Sequence, residues 1–265
     1  MLRRMRSNWL VRGGAADVGL FALATWGLSR LLPLVPSIDV GKFRAALAPI
    51  ARAIAEPHLI DRWWLLGGTL SWAGLALMAR SLVRPEKPGF GAFSLFAAAI
   101  LLAQIPIVGR SLSPESLGGC VLGLMLAGLF WRAEARTRAN LAFFLIFTGF
   151  CVAETLASPG GPLYAFNWIP FRRQMGNTLV GIDSLLEIVG IAAALAWSAR
   201  SAGDPRTMRR IGWAAGLLTA AGALALELNQ SHLRGRVGDV TTPVVMAFTF
   251  RSEEHTSELQ SRHNL

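Results

Sequence analysis

Apolar residues in this chain come in long blocks, and polar residues are confined to the short segments between them. Seven blocks approach the roughly twenty residues that cross a bilayer's hydrocarbon layer: Val18 to Pro36, Trp63 to Met78, Phe90 to Val108, Leu117 to Trp131, Leu141 to Ala157, Thr178 to Trp197 and Ile211 to Asn229. Val240 to Phe250 begins an eighth. A soluble helical bundle would instead show polar stripes recurring near every 3.6 residues. Phe90 to Val108 offers only Ser94 and Gln104 as polar side chains. The pattern predicts an all-α, polytopic transmembrane helical bundle with seven spans and a truncated eighth.

The segment 38–61, between the first two blocks, has a different rhythm. Val40, Phe43, Leu47, Ile50 and Ile54 recur every three or four residues, with Lys42, Arg44, Arg52 and Glu56 between them and Pro49 as an interruption. This is an amphipathic helix pattern, suited either to the membrane-water interface or to packing over the ends of the spans. Tryptophans 9, 63, 64, 131, 168, 197 and 213 fall at predicted span ends, where aromatic belts anchor membrane proteins. Gly119 and Gly123, and Gly212 and Gly216, allow close helix approach and read as packing within one chain.

The chain is 53% hydrophobic and 16% charged, with a net charge of +10. Basicity of this size suits nucleic acid when it is clustered. Here it is spread over the short connections, so it reports orientation in a membrane and no nucleic-acid partner is expected. Fourteen Lys and Arg fall on the side of the N-terminus and nine on the other, with Arg30 inside a span. The positive-inside rule then puts the N-terminus in the cytoplasm of a bacterial inner-membrane protein, with an uncleaved first span. Segments 158–176 and 230–239 fall on the outer side. Cys120 and Cys151 lie in apolar blocks and read as core residues.

The last residues carry a further expectation. Arg251 to Ser261 read RSEEHTSELQS, which coincides with the translation of a common sequencing-library adapter. Segment 251–265 is therefore set aside from the fold, and Val240 to Phe250 is expected to be cut in mid-span.

Chemistry concentrates in two outer segments. One is Asn167-Trp168-Ile169-Pro170-Phe171-Arg172-Arg173; the other runs from Glu227 through Gln230, Arg234 and Arg236 to Asp239. A helix end needs only a Gly, an Asn or a charge in order to stop, so this polar density asks for another reason. Glu154, Asp183, Glu187 and Glu227 fall in the outer halves of spans. Charges at such depth must face the bundle or a wet cavity. With Arg172, Arg173, Arg234 and Arg236 above them, they predict an outward-opening pocket with acidic walls and a basic rim. Glu227, Arg236 and Asp239 read as a coupled trio. The chain has no P-loop, no Gly-x-Gly-x-x-Gly after a strand, no His/Cys metal spacing and no Gly-x-Ser-x-Gly, so neither cofactor nor metal is expected.

The order NWIPFRR, an apolar segment, then LELNQSHLRGRVGDVTTPVV resembles the VanZ-like family of bacterial membrane proteins, over about residues 166–250. The chain departs from that family's pattern in three places. Ser184 to Ile191 stands where an Asn and a Pro-Leu-Gly are usual, Thr242 where a second Asp is common, and Met246 and Thr249 where an Asn and a Gly occur. The resemblance divides the chain into 1–157, an N-terminal region of five spans, and 158–250, a truncated VanZ-like region. It implies a cell-envelope protein related to antibiotic resistance; together with the pocket read from the residues it gives Asn167, Pro170, Phe171, Arg172, Glu227, Gln230, Arg234, Arg236 and Asp239 as expected binding residues, with Glu154, Asp183 and Glu187 beside them. The first functional expectation is a non-enzymatic binder of an anionic cell-surface or lipid-linked group, resting on the bilayer. An enzyme acting on a lipid-linked glycan comes second and a small transporter third.

Overall fold

The structure, a computed structural model, describes residues 9–11, 14–156, 162–172, 175, 178–202, 208–233 and 235–251. Among these the chain is α-helical, with three isolated bridges and no strand. In chain order the α-helices are α1 (Gly14–Ser29), α2 (Val40–Ala55), α3 (Arg62–Leu82), α4 (Gly89–Ala103), α5 (Pro114–Leu129), α6 (Ala135–Thr155), α7 (Thr178–Ala202), α8 (Met208–Gln230) and α9 (241–251). The starts are written locally. Asp39, Asp61 and Ser113 cap α2, α3 and α5 by accepting backbone N–H bonds from Gly41, Trp63 and Ser116 at 2.8 to 3.0 Å, and Pro114 follows Ser113 where its missing N–H costs nothing.

Two helices, Ala135–Thr155 and the Gly181–Ser201 part of α7, are long and apolar enough to cross a membrane. The other predicted spans differ for identifiable reasons. Helices α1, α4 and α5 have 16, 15 and 16 residues, about 22–24 Å of regular helix at 1.5 Å per residue. Helix α3 has 21 residues but dilutes its leucines with Trp, Gly, Thr and Ser. Helix α8 has 23, with Arg209 and Arg210 at its start and Glu227, Asn229 and Gln230 at its end.

Many of the buried positions are alanine, and many large apolar side chains are exposed. Alanines 22, 73, 76, 97, 127, 142, 192, 193, 194, 196 and 223 are buried, while Phe21, Leu95, Leu102, Met125, Leu129, Phe144, Leu217 and Phe248 are exposed. Helix α3 lies at the centre, between α5 and α6, and α7 packs on α1 and α6. Close contact runs along glycine seams. A side chain on Gly119 would meet the Gly68 backbone at 3.1 Å, and one on Gly123 the Thr69 carbonyl at 2.7 Å. The Gly119/Gly123 pair thus packs within the chain, as its spacing predicts. Gly216 packs on Phe250. Large side chains fill the rest of the core, among them Trp26, Trp72, Leu75, Leu77, Met78, Phe93, Phe143, Ile146 and Leu195, with Trp26 and Trp72 edge to face at 4.7 Å. Trp197 is also core, not part of an exposed belt.

The connections sort to two ends. Trp9–Val11 pairs with Leu82–Arg84 through the Val11 and Arg84 N–H groups, so the N-terminal segment joins the α3–α4 turn. At the opposite end, segment 104–113 pairs with Val35–Ser37 and carries α2. The end of α6, the start of α7, the end of α8 and the start of α9 lie there too, which gathers the two polar motifs.

Candidate functional site

The two motifs meet through their backbones. Asn167 and Asp239 form a parallel bridge, with the Asn167 N–H on the Gly238 carbonyl at 2.9 Å and the Val240 N–H on the Asn167 carbonyl at 3.1 Å. The contact expected between the Asn167 turn and 230–239 is therefore present. The Asn167 amide closes its own turn, accepting from the Ile169 N–H and donating to the Ile169 carbonyl. Pro170 is exposed, and Phe171 adopts a left-handed φ of 63°, which is costly for a residue with a bulky side chain. It is held there because its N–H donates to the Thr241 hydroxyl (2.9 Å). Asn167, Pro170 and Phe171 thus fix the frame, and Arg172 faces solvent. Arg173 and Arg234 lie outside the described residues.

Gly238 shows how tight this junction is. A Cβ there would overlap the Glu227 carbonyl oxygen and come within 3.1 Å of the Phe166 ring. A backbone carbonyl in a helix's last turns cannot step aside. Gly238→Ala is expected to lower stability by about 1–3 kcal/mol, the range for overpacking. Thermal unfolding of the purified protein checks this, and an unchanged midpoint contradicts it.

The charged groups pair differently from the trio expected. Arg236 donates to Glu154 Oε2 at 2.8 Å and to the Ala153 carbonyl at 2.9 Å, so its fork caps the end of α6 and pairs with the carboxylate there. Gln230 Nε2 reaches the same oxygen at 2.6 Å, and Arg236 lies 5.7 Å from the Trp64 ring. Glu227, only 7% exposed, is served instead by the Asp239 N–H on Oε2 (2.9 Å) and the Thr242 hydroxyl on Oε1. Asp239 accepts the Thr241 N–H at 2.7 Å, at the start of α9. Glu227 and Asp239 do cluster; Arg236 belongs to Glu154.

Asp183 and Glu187 share one face of α7, and each has a guanidinium. Arg110 donates to Asp183 at 2.5 Å and to the carbonyls of Leu32 and Ser29, which closes the end of α1. Arg30 donates to Glu187 at 2.6 Å and lies 5.1 Å from the Trp26 ring. These two arginines were not singled out from the sequence as ligands. The only signal was Arg30 itself, a charge inside an apolar block, which at that depth requires a partner.

Between these groups lies a cavity of about 340 Å³. Its walls hold Glu115, Glu154, Glu187, Glu227 and Asp239, the guanidiniums of Arg30 and Arg236, the amides of Gln104 and Gln230, and the rings of Trp26, Trp64, Trp72 and Phe150. Asp183, Asn167, Pro170, Phe171 and Arg172 do not line it. The expected acidic wall is present. Of the four arginines expected as its basic rim, Arg236 lines the cavity and pairs with Glu154, Arg172 is exposed and does not line it, and Arg173 and Arg234 lie outside the described residues. Among the described residues the lining holds five carboxylates and two guanidiniums, each guanidinium paired with one of them, and the remaining carboxylate oxygens are hydrogen-bond acceptors.

Thr242, Met246, Thr249 and the 184–191 stretch have structural roles. Thr242 donates to Glu227, where an Asp would add a second carboxylate. Met246 is fully buried against Ala192 and Ala223, and Thr249 donates to the Val245 carbonyl. Ser184, Glu187, Ile188 and Ile191 line the cavity, and Gly190 admits the Trp26 backbone. Among the described residues no three His, Cys, Asp or Glu side chains converge as metal ligands. No family model, curated protein or solved structure matches the chain.

Proposed function

We propose that this chain is a multi-pass protein of the bacterial cytoplasmic membrane, VanZ-like in its C-terminal region, whose cavity receives the hydroxyl-rich head of a lipid-linked glycan on the outer side. The inside-out distribution of side chains supports the membrane part. Only 28% of the span-length window of α6 is buried, and the large apolar Phe144 is exposed on it, beside Asn140 and Thr148. Alanine and glycine at the helix contacts and large apolar side chains on the outer surface suit helices packed in lipid. Shorter helices such as α1, α4 and α5 are accommodated by local thinning or by flanking loops at membrane depth that are buried in protein.

The observation that carries the ligand class is the make-up of the walls. Carboxylates and amides offer acceptors to hydroxyl groups, and indole faces offer a flat apolar surface to a sugar ring. This reading differs from the anionic group expected from the sequence. The Glu227 and Asp239 carboxylates, adjacent and both in the cavity, favour the enzyme as second reading, since such a pair suits acid-base chemistry.

Purification into native-membrane nanodiscs, followed by mass spectrometry of the retained lipids, tests the proposal. Glycan-bearing lipids should be enriched over the surrounding membrane with the wild type and lost with Glu227→Gln or Asp239→Asn at equal folded yield. The same lipid profile in all three sinks the binding reading. Conversion of the retained lipid by the wild type, and not by Glu227→Gln, favours the enzyme. Orientation is checked separately in intact cells. An impermeant thiol reagent should label a cysteine at His232 and spare one at Glu86, which lie at opposite ends of the bundle; the reverse pattern inverts the topology.

A further inference from the structure

Helix α2 displays a surface that neither the bundle nor the cavity uses. Its sixteen residues fall into three sectors around the axis. Ala46 and Ala53 are buried, with Pro49 and Ile50 half-buried beside them, and Ile50 packs on the main core. This side is fixed to segment 104–113, with the Leu112 N–H on the Ala46 carbonyl (3.0 Å) and the Lys42 ammonium on the Arg110 carbonyl. The next sector is apolar and uncovered. Val40, Phe43, Leu47 and Ile54 are exposed by 80, 37, 43 and 77%, and Ile38, just before the helix, by 95%. At 3.6 residues per turn the four helical positions span about 60° of arc. The third sector presents Arg44 and Arg52 to solvent, and no Asp or Glu lies between Asp39 and Glu56. The sequence pattern left two placements open, packing over the bundle or lying at an interface. The helix packs by its alanine side, and the apolar stripe that defined the pattern stays uncovered.

We infer that α2 lies in the head-group layer of the leaflet at the motif end, with its stripe in the acyl boundary and Arg44 and Arg52 against anionic phospholipid head groups. This rests on the membrane reading above. Three observations select lipid as the occupant. The stripe is narrow and flanked by cations, the composition of helices that settle at an interface. Helix α2 sits where α1 and α4 end and α5 begins, the level at which hydrocarbon gives way to head groups if those helices cross. Its polar side is uniformly basic, which attracts an anionic surface and repels a second copy of the same helix.

The test uses the full chain with Cys120 and Cys151 replaced by Ala, reconstituted in nanodiscs containing phosphatidylglycerol. Single cysteines at Leu47, Ala45 and Phe144 carry an environment-sensitive fluorophore. The Leu47 label should be quenched by lipids spin-labelled shallow in the acyl chain and be several-fold less sensitive to iodide than the label at Ala45, on the polar sector. The Phe144 label should respond to deep spin labels. Iodide quenching at Leu47 equal to that at Ala45, with Phe144 still quenched by lipid, overturns this inference alone. Iodide quenching at Phe144 overturns the membrane reading instead. Crosslinking between copies through the Leu47 cysteine also overturns it, in favour of a self-association face. Replacing Arg44 and Arg52 by Gln should remove any dependence of the Leu47 signal on phosphatidylglycerol; a dependence that persists refutes the role of the two arginines.

Discussion

Replacing Arg236 by Gln is expected to destabilise the protein by about 2–3 kcal/mol, at or below the roughly 3–5 kcal/mol measured when a fully buried pair loses one partner. The guanidinium and the Glu154 carboxylate are 14% and 27% exposed, which tempers the cost. The loss has two parts: Glu154 gives up its ion pair with Arg236 while keeping the Gln230 amide, and the Ala153 carbonyl at the end of α6 loses a donor. Double-mutant cycles on thermal stability locate the coupling. Glu154→Gln with Arg236→Gln should be clearly non-additive, because each single change already breaks the pair. Glu227→Gln with Arg236→Gln should be coupled more weakly than the Glu154 pair, since the hydrogen bonds described for Glu227 come from Asp239 and Thr242. Stronger coupling to Glu227 than to Glu154 would restore the trio expected from sequence and reject the geometry described above.

Gly149→Leu should abolish folded protein, and Gly149→Ala should cost about 1–3 kcal/mol. A Cβ at 149 would stand 2.6 Å from the Ser71 hydroxyl, 2.8 Å from the Gly67 carbonyl oxygen and 2.9 Å from the Ser71 nitrogen. Two of those three atoms are backbone of α3 and cannot rotate away. Helix α3 is gripped on its other side by Gly119 and Gly123 of α5, so it cannot retreat from α6 without opening that seam. Gly128→Leu is the control, because a side chain there meets nothing within 4 Å. Yield of monodisperse protein after detergent extraction distinguishes the two. Equal yields from Gly149→Leu and Gly128→Leu would show that the α3–α6 contact is looser than described.

The sequence alone determined that the chain is helical, because apolar blocks broken by Pro, Gly and Arg leave few other ways to satisfy the backbone. It also located α2, whose period is visible without any partner, and the meeting of the Asn167 turn with the Gly235–Asp239 turn, since each carries polar groups in excess of what a helix end needs. The acidic character of the cavity was legible for the same reason, a carboxylate within an apolar block being costly wherever it lies. Pairing was not legible. Arg236 is nine residues from Glu227 and 82 from Glu154, and near neighbours in sequence are the natural first choice. The fold chose otherwise, because Gly235 at φ 78° and the contact of Gly238 with the Glu227 carbonyl aim the loop at the end of α6. Likewise Arg30 finds Glu187 across 157 residues, and Arg110 finds Asp183 across 73. Only the tertiary structure brings α1, α6, α7 and the 104–113 segment to one end, and with them sets which charges are already neutralised. Ion pairing depends on distance in space, which hydrophobic periodicity does not encode, so the acidic wall was visible in the sequence and the partners of its carboxylates were not.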